Sequence, residues 1–387
     1  MSEFIPLSVP SIQGNEWKYV KECLDKEWVS SAGSYVDEFE RRIAEFSGAR
    51  YAIACVNGTA ALHVALKLAG VRSGDAVIIP TLTFIAPVNA IRYLDADPVF
   101  MDCDEFYNID IEKTLEFIKS QTVFRNDATF HTTTGKKVSA IVPVHVFGNA
   151  VDLDSLLDVC RERRIVVVED ATESLGTTYK MGRVAGKHAG TIGKLGCLSF
   201  NGNKIITTGG GGMILTDDAD YAEKAKYLTT QAKNDKIRYV HNDVGYNFRL
   251  TNVQAAIGVA QLENLKNYLG IKKRNYFQYK QDIDRIPGLH LAETPDYAEN
   301  NLWMYALQID KTIYGIDREQ LMSLLDLQKI QTRPVWHLNH HQKPYRDCYG
   351  YKIEKAVFLH EMTLNIPCST GLKNEEIERV ISCLEKR

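Results

Sequence analysis

Between about Tyr51 and Thr216, short apolar runs alternate with amphipathic stretches of helical period. The runs predict strands at Ala52–Val56, Ala76–Pro80, Val99–Asp102, Ala140–Val146, Ile165–Glu169, Gly196–Phe200 and Met213–Thr216. Ile165-Val166-Val167-Val168 is apolar throughout, the pattern of a strand covered on both faces. Asp152–Arg164 predicts one of the intervening helices, because Leu153, Leu156, Leu157 and Cys160 recur at i, i+3, i+4 and i+7. Asp152 is placed to cap it, and Arg161, Arg163 and Arg164 to complement its C-terminal dipole. Strands alternating with helices imply an α/β fold whose large domain carries a mostly parallel, seven-stranded sheet. Ligands bind such sheets beyond the carboxyl ends of the strands.

Past Gly245 the pattern changes. Thr251-x-x-Gln254 reads as a capping box that opens a helix burying Val253, Ala256, Ile257 and Ala260. A long helical stretch follows, then short strands and helices, and a final helix carrying Ile377, Val380, Ile381 and Leu384. A large domain is therefore expected over residues 1–264, N-terminal segment included, with a smaller C-terminal α+β domain over 265–387. The polar Arg125–Lys137 segment, rich in Thr and Gly, is expected to be an exposed loop or hairpin inserted in the sheet domain.

Composition narrows the classes. The 46 Lys and Arg against 49 Asp and Glu give no basic face for sequence-independent nucleic-acid binding. The eight cysteines never stand closer than 15 residues, so metal-ligand and redox spacings are absent and buried free thiols are expected. The longest uncharged stretch, Ala76–Ile91, has 16 residues and two prolines, too short for a membrane helix. With no basic and apolar leader at Met1–Pro6, the reading is a cytoplasmic protein without a membrane partner.

Four clusters carry candidate chemistry, each with a plainer alternative. Asn57-Gly58-Thr59-Ala60 joins a strand to a helix, and its amides and hydroxyl suit a phosphate as well as an ordinary N-cap. Glu169-Asp170 ends a buried strand, where a carboxylate needs a partner: a cationic ring nitrogen, a metal or a helix N-terminus. Ser199–Lys204 runs into Thr207–Gly212. Desolvation of Lys204 there would favour its neutral amine, a nucleophile and base, whereas most lysines are simply solvated. Gly245–Leu250 offers Asn247 and Arg249 to an anionic ligand or to the domain junction. Together the clusters supply a phosphate seat, an acid and an amine, the set that pyridoxal 5'-phosphate requires. No metal or nicotinamide reading uses all of them.

The order and spacing of these clusters resemble the DegT/DnrJ/EryC1/StrS sugar-nucleotide aminotransferases. The resemblance runs from Trp28-Val29-Ser30-Ser31 through Pro80-Thr81-Leu82-Thr83-Phe84 to Gly245–Leu250, and rests above all on Glu169-Asp170 with Ser199-Phe200-x-x-x-Lys204. It implies fold type I of the pyridoxal-phosphate enzymes, the aspartate aminotransferase-like fold. By the same resemblance Lys204 holds the cofactor's aldehyde, Asp170 pairs with its ring nitrogen and Phe84 stacks on the ring. Gly58, Thr59 and Ser199 would hold the phosphate. Asn247 would reach the phosphate of the neighbouring subunit, making a homodimer the catalytic unit.

This sequence departs from the family pattern at Glu173, where Gln or His is common, at Asn201 for His, and at Gly210 for Glu. An ionised Glu173 beside a phenolate is unfavourable, so it is expected protonated, re-oriented or bonded to substrate. His337, His340 and His341 lack acidic or cysteine partners at ligand spacing, so no metal is expected. His337 is instead read as facing solvent or substrate, and Arg333 as meeting a nucleotide diphosphate or serving structure. The implied reaction moves an amino group from L-glutamate to C4 of a nucleotide-linked 4-keto-6-deoxy sugar. Asn201–Lys204, Thr208–Gly212 and Thr132–Lys137 resemble the branch serving legionaminic acid or bacillosamine, with UDP as the expected nucleotide. Two rivals are a sugar dehydratase, whose branch carries His in place of Lys204, and a cofactor-binding regulator, for which no DNA-binding domain is visible.

Overall fold

The computed structural model describes residues 3–235 and 237–385. Seven strands form the body of the main sheet: β1 (Tyr51–Cys55), β2 (Ala76–Pro80), β3 (Asp97–Met101), β4 (Val138–Ile141), β5 (Val166–Asp170), β6 (Leu195–Ser199) and β7 (Gly212–Thr216). Across the sheet they run β1-β7-β6-β5-β4-β2-β3. All neighbours are parallel except β7, which is antiparallel to both β1 and β6. The two-residue strand Gly350–Tyr351 adds an eighth member beside β3. It is too short to leave a periodic signal.

Each parallel strand is apolar on both faces because helices cover both. The Gly58–Leu68 helix packs Leu62, Ala65 and Leu66 into one core layer with Ile79, Val168 and Ile214. On the other face Leu156 and Cys160 of the Asp154–Glu162 helix meet Ile78 and Val167. That helix starts two residues later than its sequence pattern suggests. Asp152 is not its cap residue but accepts the Asp154 N–H at 3.3 Å, and the N-cap position falls to Leu153 without a side-chain bond. The Thr251–Gln254 capping box is present as expected. The inserted segment includes the turn and second strand of a hairpin that begins earlier, Thr122–Arg125 against Ala128–His131 with positive φ at Asn126 and Asp127, and it is not exposed throughout, since Thr129 and His131 are buried.

The helix opened by that box runs 32 residues, Asn252–Ile283. Its first half packs Ala255 and Val259 against Phe39 and Phe200, while its second half sends Tyr276, Tyr279 and Ile283 into a separate core. That second core lies on an antiparallel sheet of Leu289–Leu291, Tyr305–Ile309, Thr363–Ile366 and Arg333–Pro334. Ile5 packs into it too, bridged to Ile330.

Strand alternation sends the two acids at the end of β5 to opposite faces. Glu169 is fully buried and accepts four hydrogen bonds: from Ile192 N–H (2.6 Å), Gly193 N–H (2.5 Å), Gly190 N–H (2.8 Å) and His145 Nε2–H (2.9 Å). His145 Nδ1 itself accepts the Val151 N–H, which leaves Nε2–H to donate to Glu169. The Gly190 carbonyl passes so close to Gly196 on β6 that a Cβ there would lie 1.9 Å from it. Only glycine lets the loop reach Glu169. Burial raises the carboxyl, but the His145 bond and the Gly193 and Gly190 amides outweigh it, leaving it below the usual range.

Glu169→Ala is expected to strand these donors and destabilise the protein by on the order of 3 kcal/mol or more, read by urea unfolding. Because its folded-state affinity for protons is depressed, the stabilisation from Glu169 is present above about pH 4 and lost as pH falls below that.

Candidate active site

The carboxyl edge of the sheet gathers three of the four sequence clusters. Asn57 caps the helix after β1, its side chain accepting the Ala60 N–H at 2.8 Å. The cap and the phosphate readings are therefore compatible. Among the described residues no protein acceptor takes the Gly58 or Thr59 N–H, the first two amides of that helix. A Cβ on Gly58 would stand 3.0 Å from Ser199 Cβ and 3.1 Å from Thr172 Cγ2. The turns after β1, β5 and β6 thus close on one small cradle, lined with unpaired amides and a hydroxyl, that suits an anion.

Asp170 ends β5 facing this cradle rather than the Glu169 side, and is only 2% exposed. Its Oδ1 accepts the Thr172 N–H at 3.1 Å. Burial holds its carboxyl above the usual range, while Thr172 and the Lys204 charge offset part of that rise. A buried acid so placed is stabilised by a nearby cation, such as a protonated ring nitrogen.

Lys204 follows the turn after β6, its N–H donating to the Asn201 carbonyl at 3.0 Å. Its side chain is 13% exposed, and Nζ lies 3.5 Å from Glu173 Oε1. The other Glu173 oxygen accepts the Phe147 N–H at 2.9 Å. Burial raises the Glu173 carboxyl to about 7, against the opposing pull of Lys204 and of the Phe147 amide. At neutral pH it is therefore poised between its two protonation states. Phe84 is 52% exposed and edges toward Trp336, which packs 5.2 Å from Phe147. Its open ring face leaves room for a second planar group.

The remaining candidates are not joined to this cluster. Asn247 is exposed, and its Oδ1 accepts from Arg249 Nε at 3.3 Å. Its neighbour Phe248 does accept the Val56 N–H beside the cradle, at 2.8 Å. Arg333 bonds the Thr332 carbonyl, and His337 packs its ring near His341 and His360. Among the described residues no group of three or more His, Cys, Asp or Glu could hold a metal. All eight cysteines are free thiols, six of them buried.

Two contacts left no mark in the sequence pattern. Trp303 lays its ring 4.0 Å from Lys204 Nζ, although the two are about a hundred residues apart. Asn301 Nδ2 donates to the Glu173 and Leu175 carbonyls at 2.8 and 3.0 Å. The cradle, the cation-seeking acid, the enclosed amine and the open aromatic face together fit pyridoxal phosphate.

The profile of the DegT/DnrJ/EryC1/StrS aminotransferase family matches residues 10–385. GDP-perosamine synthase of Caulobacter vibrioides is 38% identical over 387 residues, covering 99% of this chain and 98% of that protein. The spore coat polysaccharide biosynthesis protein SpsC of Bacillus subtilis is 31% identical, covering 99% and 97%. The crystal structure of DesI with its TDP-sugar product superposes with a TM-score of 0.88 at 26% identity, over 100% of this chain and 93% of that one. No described helix is long and apolar enough to cross a membrane.

A carboxyl with its proton affinity raised by folding binds more protons in the folded state, so stability falls as pH rises through that window. Between about pH 5 and pH 8 the cofactor-free protein is expected to lose on the order of 2 kcal/mol through Glu173, a slope that Glu173→Gln removes. Melting temperature against pH for the two proteins reads the difference.

Proposed function

The chain belongs to the DegT/DnrJ/EryC1/StrS aminotransferase family, and we propose that it transfers an amino group from L-glutamate to C4 of a nucleotide-linked 4-keto-6-deoxy sugar. It is a pyridoxal-phosphate-dependent aminotransferase. The observation that carries the amino transfer is Lys204, enclosed at the strand edge with Glu173 on one side and the Asp170 carboxyl within electrostatic reach, and the sugar part of the reading is supported by relatives such as GDP-perosamine synthase. A lysine there also speaks against the dehydratase alternative.

When bound, pyridoxal phosphate supplies an electron sink that lets an amino group leave one carbon and join another. The Gly58 and Thr59 amides and the Ser199 hydroxyl would hold its phosphate, and Asp170 would keep its ring nitrogen protonated. A charge pair of that kind at about 4 Å contributes up to about 4 kcal/mol at an effective dielectric of 20, before desolvation. Lys204 would bind the cofactor through Nζ. Displaced by the donor amine, the same Nζ would take the proton from the donor's α-carbon and later return one to the product. Glu173, 3.5 Å away, would hold the ammonium between those steps.

Asn247 is assigned across a subunit boundary, to the cradle of a second copy. Its exposure and its lack of a link to its own cleft support a homodimer. The sequence resemblance favours UDP and an acetamido sugar. The relative from Caulobacter carries GDP in its name, so the assay offers both nucleotides.

Purified protein with cofactor is expected to turn L-glutamate over to 2-oxoglutarate, beyond the single equivalent that the cofactor itself accepts, only when a GDP- or UDP-linked 4-keto-6-deoxy sugar is present. Lys204→Ala should abolish turnover, and Asp170→Asn should lower kcat by about a hundredfold or more. No 2-oxoglutarate with either nucleotide sugar would overturn the reading, and a deoxygenated product without an amine would put a dehydratase in its place.

A further inference from the structure

The Lys204 amine has a wall that neither the resemblance nor the reaction assigns. Trp303 is buried and presents its ring face to Nζ, 4.0 Å from the centroid. An ammonium over an indole face is drawn to the ring quadrupole, most strongly where water is excluded. Trp303 is held in that place from every side. Its Nε1–H donates to the Asn203 carbonyl at 2.6 Å, on the residue just before Lys204. Its own N–H donates to Asn301 Oδ1 at 3.0 Å, and Asn301 is tied to the Glu173 carbonyl. Its carbonyl accepts from the buried Lys272 Nζ at 2.7 Å, and the same Nζ binds the Cys368 carbonyl at 2.5 Å.

We propose that Trp303 is the positioning residue of the transfer: its indole face is the seat on which Lys204 Nζ rests whenever it is free of the cofactor and carries a proton. This rests on the assignment of Lys204 above. Glu173 and Trp303 then flank one proton-carrying nitrogen. Glu173 carries a carboxyl that itself titrates near neutrality, whereas the indole offers a charge-independent face. The seat keeps the displaced amine from wandering out of reach of the substrate carbon, and Lys272 and Asn203 fix where the seat stands.

The test uses cofactor-free full-length protein and an amine-acetylating reagent, with labelling of Lys204 followed by peptide mass spectrometry and exposed Lys273 as internal control. At pH 7, Trp303→Leu is expected to label Lys204 about five- to tenfold faster than wild type, as the ammonium loses its partner. The excess should shrink toward one at alkaline pH, where lysine side chains in general give up their proton. A constant excess at every pH would mean only wider access, and an unchanged rate would mean no contact; either overturns the proposal. A measurement that leaves Trp303 in place guards against misfolding of that variant. Wild-type tryptophan emission should change with pH in step with Lys204 labelling, and Lys204→Met should lack that change. Identical emission profiles overturn the proposal. Borohydride trapping of pyridoxal phosphate on wild-type Lys204 is read separately, so failure of the lysine assignment is distinguishable from failure of the seat.

Discussion

Two consecutive carboxylates are buried at the end of one strand, and the large domain is organised around that cost. An ionised carboxyl in an apolar interior is tolerated only when its oxygens are met by donors or by a cation. Glu169 is met in full by three backbone amides and a histidine N–H, which draws the 190–193 loop over the sheet. Asp170, one residue on and on the other face, keeps a carboxyl whose affinity for protons is raised. One acid fastens the scaffold and its neighbour is left with the Thr172 N–H, and backbone pleat decides which is which.

The cleft is built from turns, so its precision comes from the sheet beneath. The turns after β1, β5 and β6 leave adjacent positions on one edge, close enough that a single methyl on Gly58 would crowd Ser199 and Thr172. Lys204 enters from the third turn and is then enclosed by residues from distant parts of the chain: Glu173, and Trp303 from the segment leading into Tyr305–Ile309. Asn301 and Trp303 grip the large domain through the Glu173, Leu175 and Asn203 carbonyls, so the approach to the second core doubles as a wall of the site.

Much of this was legible in the sequence, for reasons that differ by residue. Most strands announced themselves by apolar runs, although the one expected over Ala140–Val146 spans Val138–Ile141, and the acid, the lysine and the Gly58 turn stood out because each lies near where a run ends. The capping box was readable because Thr251 and Gln254 interact locally. Asp152 misled because an Asp before a periodic stretch is also a loop residue, and the helix took its first turn later. Trp303, Asn301 and His145 were invisible for a common reason. Their partners lie far away in sequence, and a contact made only by tertiary folding has no period to betray it. Glu173 was legible as an anomaly, and its burial with Lys204 supplies the physical content of that anomaly.

The second core has a consequence for how the chain comes to be folded. It is assembled from Ile5 near one end, the Tyr276–Ile283 turns of the long helix, and Ile377 to Leu384 near the other. No contiguous stretch of nascent chain contains all three. Seven of the eight strands of the main sheet are complete by Thr216, long before the last of these residues leaves the ribosome. Assembly is therefore staged, with Ile5 lacking part of its core until Ile377 to Leu384 have been made. Trp303 packs in the sheet core, yet its carbonyl shares Lys272 with that of Cys368, so the wall beside Lys204 is complete only once residue 368 has been made.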